Sequence, residues 1–413
     1  MKTLSDIPHL SGVKVLVRVD FNVPIKNGMV TDDFRIRSAL PTIDFLKEKG
    51  ARLILISHIE TADGLTDNNR EEPALIKKPT LAPVAKYLST KDVSVLFIKN
   101  ISSAYETIEQ MKNGDVILLE NIREYDGEKK NDKKFAQELA SLADIYVNDA
   151  FSVSHREHAS VCAITSFLPS YAGLQLEKEV EHLSTAFNPS HPFIFILGGA
   201  KFETKLPLIN KFLPAADSVF IGGALANDAL KAKGFNVGAS KVSSGNIDIS
   251  SIVKNPKVLV PSDVVTQDHD VKPASNVGNM DAIYDAGPAT VAELKKEIDT
   301  ASFILWNGPL GLFEKGFTQS TEDLAKIIAE RTESGKKAKE ESKKVISIIG
   351  GGDTLSSISK LGIEDKFTFV STGGGAMLDF LAQGTLPGIE ALNGGKTEDG
   401  KKKKENKVKA KKK

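Results

Sequence analysis

Four apolar runs in the second half of this chain stop at clustered glycines: FIFILGGAK, SVFIGGA, VISIIGGGD and FTFVSTGGGA. At the exit of a buried strand, glycine lets backbone N–H groups approach a ligand with no Cβ in the way, and a following helix adds its partially positive N-terminus. That construction suits phosphates. In the first half the comparable runs end at RVDFN, LISH, LENIR and VNDAF, so charged and hydrogen-bonding side chains stand where the glycines would be. One half reads as built for a polyphosphate, the other for a small acid.

Several residues next to these exits have the types that phosphate chemistry uses. In GGAKFETK, Lys201 leaves the strand and Lys205 follows at i+4, while Pro207 fits near a helix start. The pair suits one shared anion or a solvated helix end. Asp353 and Thr354 open a helix after a glycine triplet. There an aspartate is either an ordinary cap or a Mg²⁺ contact, since magnesium favours one or two carboxylates together with phosphate oxygens.

In the first half, Arg18, Asp20 and Asn22 alternate onto one strand face, with Val19 and Phe21 on the other. Arg35, Arg123, Arg156 and His58 lie at or just beyond strand ends, the crevice side of an open α/β sheet. A single arginine there is an ordinary ion-pair partner. Several converging would mark an anionic substrate, because guanidinium forks match carboxylate and phosphate oxygens. His155 and His158 stand three apart, but no further His or Cys nearby completes a metal set. Neither a P-loop nor a G-x-G-x-x-G turn at a strand exit is present.

The elements that must position these residues show as short β-branched runs alternating with amphipathic segments from Lys14 onward. Such alternation predicts βαβ units and parallel sheets covered by helices. The pattern restarts after Pro192 with no fixed-period repeat, so the halves share an architecture and not a sequence. Residues 173–187 have helical spacing at Leu174, Val180 and Leu183 and are closed by Asn188-Pro189-Ser190, which predicts a connecting helix. The polar stretch 332–344 reads as a surface extension before the VISII strand.

At 413 residues the chain exceeds what one hydrophobic core supports, so two domains are expected. With 41% hydrophobic and 26% charged residues it is ordinary for a globular protein. The first residues have no apolar stretch of signal length and no later run approaches a membrane span, so the expectation is a cytoplasmic chain. The single Cys162 reads as a small core residue and excludes an intrachain disulfide. Residues 396–413 hold ten lysines against three carboxylates, which leaves the rest of the chain acidic and reads as a disordered, solvated tail.

Taken together, the segments resemble the phosphoglycerate kinase family from about Leu16 to Leu392. They are VLVRVDFNVP, DDFRI, LISH, LLENIR with GEKKND, YVNDAF with HREHAS, LEKE, ILGGAKFETK, WNGPLGLFE, IIGGGDT, STGGGA and LPGIEAL. The resemblance implies two Rossmann-like lobes, each a parallel sheet between helices, joined by a connecting helix with a hinge. The N-terminal lobe would comprise 1–172 plus about 385–394 and bind 3-phosphoglycerate or 1,3-bisphosphoglycerate. The C-terminal lobe, 188–384, would bind ADP or ATP with Mg²⁺ across a cleft. A monomer without nucleic-acid or membrane partners is implied.

By motif, the resemblance assigns Asp20, Phe21, Asn22, Arg35, His58, Arg123 and Arg156 to the phosphoglycerate, with Arg35 nearest the migrating phosphoryl group. It assigns Lys201, Lys205, Gly223, Asn307, Glu314, Gly351, Gly352, Asp353 and Thr354 to the nucleotide, with Asp353 holding Mg²⁺. Arg35, Lys201, Gly352 and Gly375 would form the catalytic group. Three departures stand out. Where the family reads SHLGRP this chain has Ser57-His58-Ile59-Glu60-Thr61-Ala62, so Thr61 replaces a substrate arginine and Glu60 places a negative charge beside the ligand. Arg70, Lys77 and Lys78 are the nearby candidates to substitute. Ile283-Tyr284 stands where Gly-Leu is common, touching base preference, and Ser152-Val153-Ser154 replaces Gly-Thr-Ala.

Overall fold

The computed structural model describes residues 1–60, 78–243, 248–337, 340 and 344–394. The chain divides into two compact units, one built from Met1–Val180 and the segment from Thr385, the other from Glu181–Gly384.

In the first unit six parallel strands form one sheet: β1 (Lys14–Arg18), β2 (Arg52–Ile56), β3 (Val95–Ile98), β4 (Val116–Leu119), β5 (Ile145–Asn148) and β6 (Ser170–Ala172). Their order is β3-β4-β2-β1-β5-β6. Val15, Leu16 and Val17 are all fully buried, so both sheet faces are covered, and such strands read as continuous apolar runs without alternation. Register pairs Val17 with Leu55 and with Val147, which lines up the carboxyl ends of β1, β2 and β5. The helix α1 (Phe34–Glu48) follows β1 and buries Ile36, Ala39, Ile43 and Leu46, one stripe at spacings of three and four. The short helix Pro387–Leu392 returns to this unit, where Gly388 N donates to Ser154 O at 2.8 Å.

The second unit repeats the scheme with β7 (Phe193–Leu197), β8 (Ser218–Ile221), β9 (Val258–Leu259), β10 (Phe303–Asn307), β11 (Ile346–Gly350) and β12 (Phe369–Val370). The order is β9-β8-β7-β10-β11-β12, all parallel. Its core centres on Trp306, Ile194, Ile196, Ile304 and Ile349 with the helix α2 (Gln319–Lys337) packed over them. That helix carries the start of the polar stretch at 332–344, of which 338, 339 and 341–343 lie outside the described residues.

The connecting-helix segment folds as Leu174–Ser184, continued by a 3-10 turn over Thr185–Phe187. Asp149, just past β5, accepts from Gln175 N at 2.8 Å and Thr42 Oγ1 accepts from Leu174 N at 2.9 Å, so first-unit side chains satisfy the helix's opening N–H groups. Two features were not read from the sequence. An antiparallel sheet joins Val271–Pro273, Asp263–Thr266 and Ile283–Ala286, and a small hairpin pairs Ile25–Lys26 with Met29–Val30 across Asn27-Gly28.

Candidate active site

The first unit gathers its charged residues at the carboxyl ends of β1, β2, β4 and β5. Strand β1 ends at Arg18, so Asp20 and Asn22 stand on the exit loop and not on a strand face. Arg18 is fully buried and spends its fork inward. Its Nε donates to Ser160 Oγ at 3.1 Å, Nη1 to Val19 O at 2.5 Å and Nη2 to His58 Nδ1 at 3.0 Å. Ser160 in turn donates to the buried Glu128 carboxylate, at 2.7 Å from Oγ and 2.9 Å from N. A buried Glu128–Ser160–Arg18–His58 chain therefore fixes the imidazole. Because arginine only donates, His58 Nδ1 is the acceptor and its remaining proton sits on Nε2.

Arg35 is the second residue of α1, where a cation opposes the helix dipole. It is held by Asp20, 3.2 Å from Nη1, and by the Asn22 carbonyl at 3.1 Å. Asp20 also accepts from Ser152 Oγ at 2.5 Å and from Asn22 N at 3.0 Å, so the serine that departs from the family pattern supports the same carboxylate. Phe21 is core, with its N–H spent on Ser57 Oγ at 2.9 Å, and contributes by spacing Asp20 from Asn22. Arg123, on the turn after β4, is almost wholly buried and pairs with Glu60 through Nη1. Its Nε and Nη2 are buried without a hydrogen-bond partner. Arg156 is half-buried beside His155.

The electrostatics show that these arginines converge. Burial, then Arg18, Arg123, Arg156 and Arg35, hold His58 well below the ordinary imidazole range, so it is neutral. Burial and the neighbouring Arg156 and Arg18 bring Arg123 down to about 10. His158, half of the incomplete His155/His158 pair, is lowered to about 4 by burial and by Arg123, Arg156 and Arg18, and faces Glu128. Among the described residues no cluster of three or more His, Cys, Asp or Glu is placed to hold a metal. Such a concentration of guanidinium with unspent N–H groups has the chemistry to hold an anion.

The second unit uses backbone instead. The glycines at its strand exits fall into two kinds. A Cβ on Gly198 would land on the backbone of Gly308 and Pro309, and one on Gly223 on the backbone of Gly199, so these are needed for close packing of neighbouring turns. Gly351 has φ +109 and stands immediately before the helix Gly352–Leu361, whereas a Cβ on Gly352 would meet nothing within 4 Å. Gly375 likewise opens the helix Gly375–Gln383 and is exposed. Both helix starts therefore present free N–H groups to open space.

Around these turns, Lys205 is buried and donates to Asn307 Oδ1 at 2.5 Å, at the end of β10. Burial lowers its ammonium to about 8. Lys201 is exposed and precedes the helix Phe202–Phe212, in which Pro207 is the sixth residue, further inside than its start. Asp353 is the second residue of its helix and not the cap, a place taken by Gly351. Burial, then the Glu314 carboxylate, raises its pKa, and Lys205 opposes that rise. Thr354 Oγ1 is buried without a partner. Tyr284 accepts from Lys315 Nζ at 2.9 Å and meets Phe317 edge-on at 5.1 Å.

Thus the first unit brings Asp20, Asn22, Arg35, His58, Arg123 and Arg156 to one end of one sheet, and the second brings Lys205, Asn307, Asp353 and Thr354 to another. Thr61, Arg70 and Lys77 lie outside the described residues, as does the tail beyond residue 394. Cys162 is only partly buried, packed beside Ala150, Val153 and Val161. Residues that sequence reasoning missed are the counter-charge Glu128 and its relay Ser160, both buried polar groups whose role shows only in three dimensions.

Fold and site define a protein of two parallel α/β units, one with arginines gathered at the carboxyl end of its sheet and the other with glycine turns suited to phosphate. The sequence model of the family described as phosphoglycerate kinase matches residues 4–384. The phosphoglycerate kinase of Dictyoglomus turgidum is 42% identical over 411 residues, covering 95% of this chain and 98% of that protein. Among solved structures, phosphoglycerate kinase from Coxiella burnetii has a TM-score of 0.76 at 36% identity, covering 95% of this chain and 98% of its own. That from Pyrococcus horikoshii has a TM-score of 0.81 at 31% identity, with the same two coverages. The chain belongs to the phosphoglycerate kinase family, and is a phosphotransferase.

Proposed function

We propose that this chain transfers a phosphoryl group reversibly between 1,3-bisphosphoglycerate and ADP, giving 3-phosphoglycerate and ATP, as a monomer in the cytoplasm. The observation that carries the reading is the buried Arg123, with Nε and Nη2 both unspent, beside three further arginines and a neutral His58. Phosphoryl transfer needs little covalent chemistry from a protein. It depends on in-line positioning and on neutralising charge on the equatorial oxygens.

In this reading Arg123, Arg156 and the Nε2 proton of His58 bind and orient the phosphoglycerate. Arg35, kept directed by Asp20 and the Asn22 carbonyl, stabilises the transferring group. Gly352 and Gly375 present N–H groups to nucleotide phosphates, and Lys201 and Lys205 supply cationic charge. The residues also fit Mg²⁺. Asp353 and Glu314 raise the local cost of negative charge and the Thr354 hydroxyl is unspent, so Asp353 would hold the ion together with phosphate oxygens. When bound, Mg²⁺ neutralises charge on those oxygens. No helix among the described residues is long and apolar enough to cross a membrane.

The test is a coupled assay with 3-phosphoglycerate and Mg-ATP. Turnover that disappears on chelation is expected, and folded protein with no turnover above background would refute the reading.

A further inference from the structure

We propose that Glu60 is a built-in competitor for the anion site at Arg123 and sets the affinity of the first unit for its acidic substrate. The proposal rests on the reading of Arg123 as a substrate-binding group. Glu60 follows β2 by four residues, and the peptide that leads into it is pinned through both its N–H and its C=O. Its own N–H donates to Asn22 Oδ1 at 2.9 Å, while Ile59 O accepts from Asn121 Nδ2 at 2.9 Å. That anchoring hangs the carboxylate over Arg123 Nη1.

The two partners are unequal. The Arg123 side chain is 5% exposed and that of Glu60 is 55% exposed, so the guanidinium is fixed and the carboxylate is free to swing into water. A carboxylate on a guanidinium is the same contact that a substrate carboxylate or phosphate would make. Two anions on one Nη1 would repel each other, and a tethered carboxylate competes at high effective concentration. Burial, Arg156 and Arg18 all disfavour the Arg123 cation, with Glu128 and Asp20 opposing them, and Glu60 is the carboxylate in direct contact with its Nη1. Glu60 therefore has to leave Arg123 before the substrate anion can take its full set of N–H groups.

The decisive variant is Glu60→Gln, which keeps the length of the side chain and removes its charge. Calorimetric titration of the full nucleotide-free chain with 3-phosphoglycerate is expected to show Kd about two- to fivefold lower than in the unaltered protein, the range for losing one partly exposed ion pair. KM should follow, with kcat within twofold. Unchanged or weaker binding would overturn the proposal. So would a gain that persists when Arg123→Ala is added, because the competition acts at that guanidinium. If the unaltered chain binds no 3-phosphoglycerate, the substrate assignment fails. Sulfate titrated into the same variants then still reads the competition, with tightening in Glu60→Gln supporting it and no tightening refuting it.

Discussion

The two units set the same kind of sheet to different work at its carboxyl end. In the first, side chains carry the charge, and three of the guanidiniums come with a counter-charge: buried Glu128 through Ser160 for Arg18, buried Asp20 for Arg35 and the exposed Glu60 for Arg123. In the second, the backbone supplies the donors, and the constraint is room: Gly198, Gly223 and Gly308 exist so that neighbouring turns can touch main chain to main chain. A side-chain site is tuned by counter-charges that can be altered one at a time. A backbone site is tuned by shape, and its glycines tolerate substitution only where they face open space.

The sharpest test of that contrast is Arg35→Ala, which removes a directed cation without touching the sheet. kcat should fall by about 10²–10³-fold, the loss typical of one preorganised transition-state donor. Steady-state kinetics that gave near-normal kcat would take Arg35 out of the chemistry.

Next in size is a pair of glycine substitutions in the second unit. Gly198→Ala is expected to lower stability by about 1–3 kcal/mol, because its Cβ meets backbone that cannot step aside. Gly352→Ala should leave the urea midpoint where it was and weaken ADP binding. Equal losses of stability in the two variants would erase the distinction between packing glycines and ligand-facing ones.

The smallest effect concerns Lys205, whose ammonium titrates at about 8 against an ordinary 10.5. It is charged below that pH and loses its proton as pH rises through it. ADP affinity should therefore decline between pH 7 and 9, by up to about tenfold per unit above the pKa, and Lys205→Arg should flatten the decline. Calorimetry at three pH values checks this. For stability the sign is opposite: between about 8 and 10.5 the unfolded chain binds the extra proton, so the penalty for burying this lysine eases as pH rises.

Much of the fold was legible because strands covered on both faces appear as unbroken apolar runs such as FIFIL and SFILWN. The helix Leu174–Ser184 was equally clear from its spacing and its Asn-Pro stop. The Asp263–Ala286 sheet was missed because its strands are short and carry Asp, Lys and Tyr, which hide the alternation. The Ile25–Val30 hairpin had a signal that went unused, Asn27-Gly28, where both residues take positive φ. For the site, each arginine alone was ambiguous. Only the order β4-β2-β1-β5 brings four separate strand exits side by side, and sequence does not fix that order. The pairing of Lys205 with Asn307, 102 positions apart, was beyond any local pattern.

The hydrogen bond from Arg18 into His58 reaches further than geometry. An imidazole locked as the Nε2 tautomer, with ionisation suppressed first by burial and then by four cations, does not change state when the surroundings acidify modestly. Recognition of the small acid would then carry no proton uptake at this ring, and metabolic swings in pH would leave this contact constant while other parts of the reaction respond.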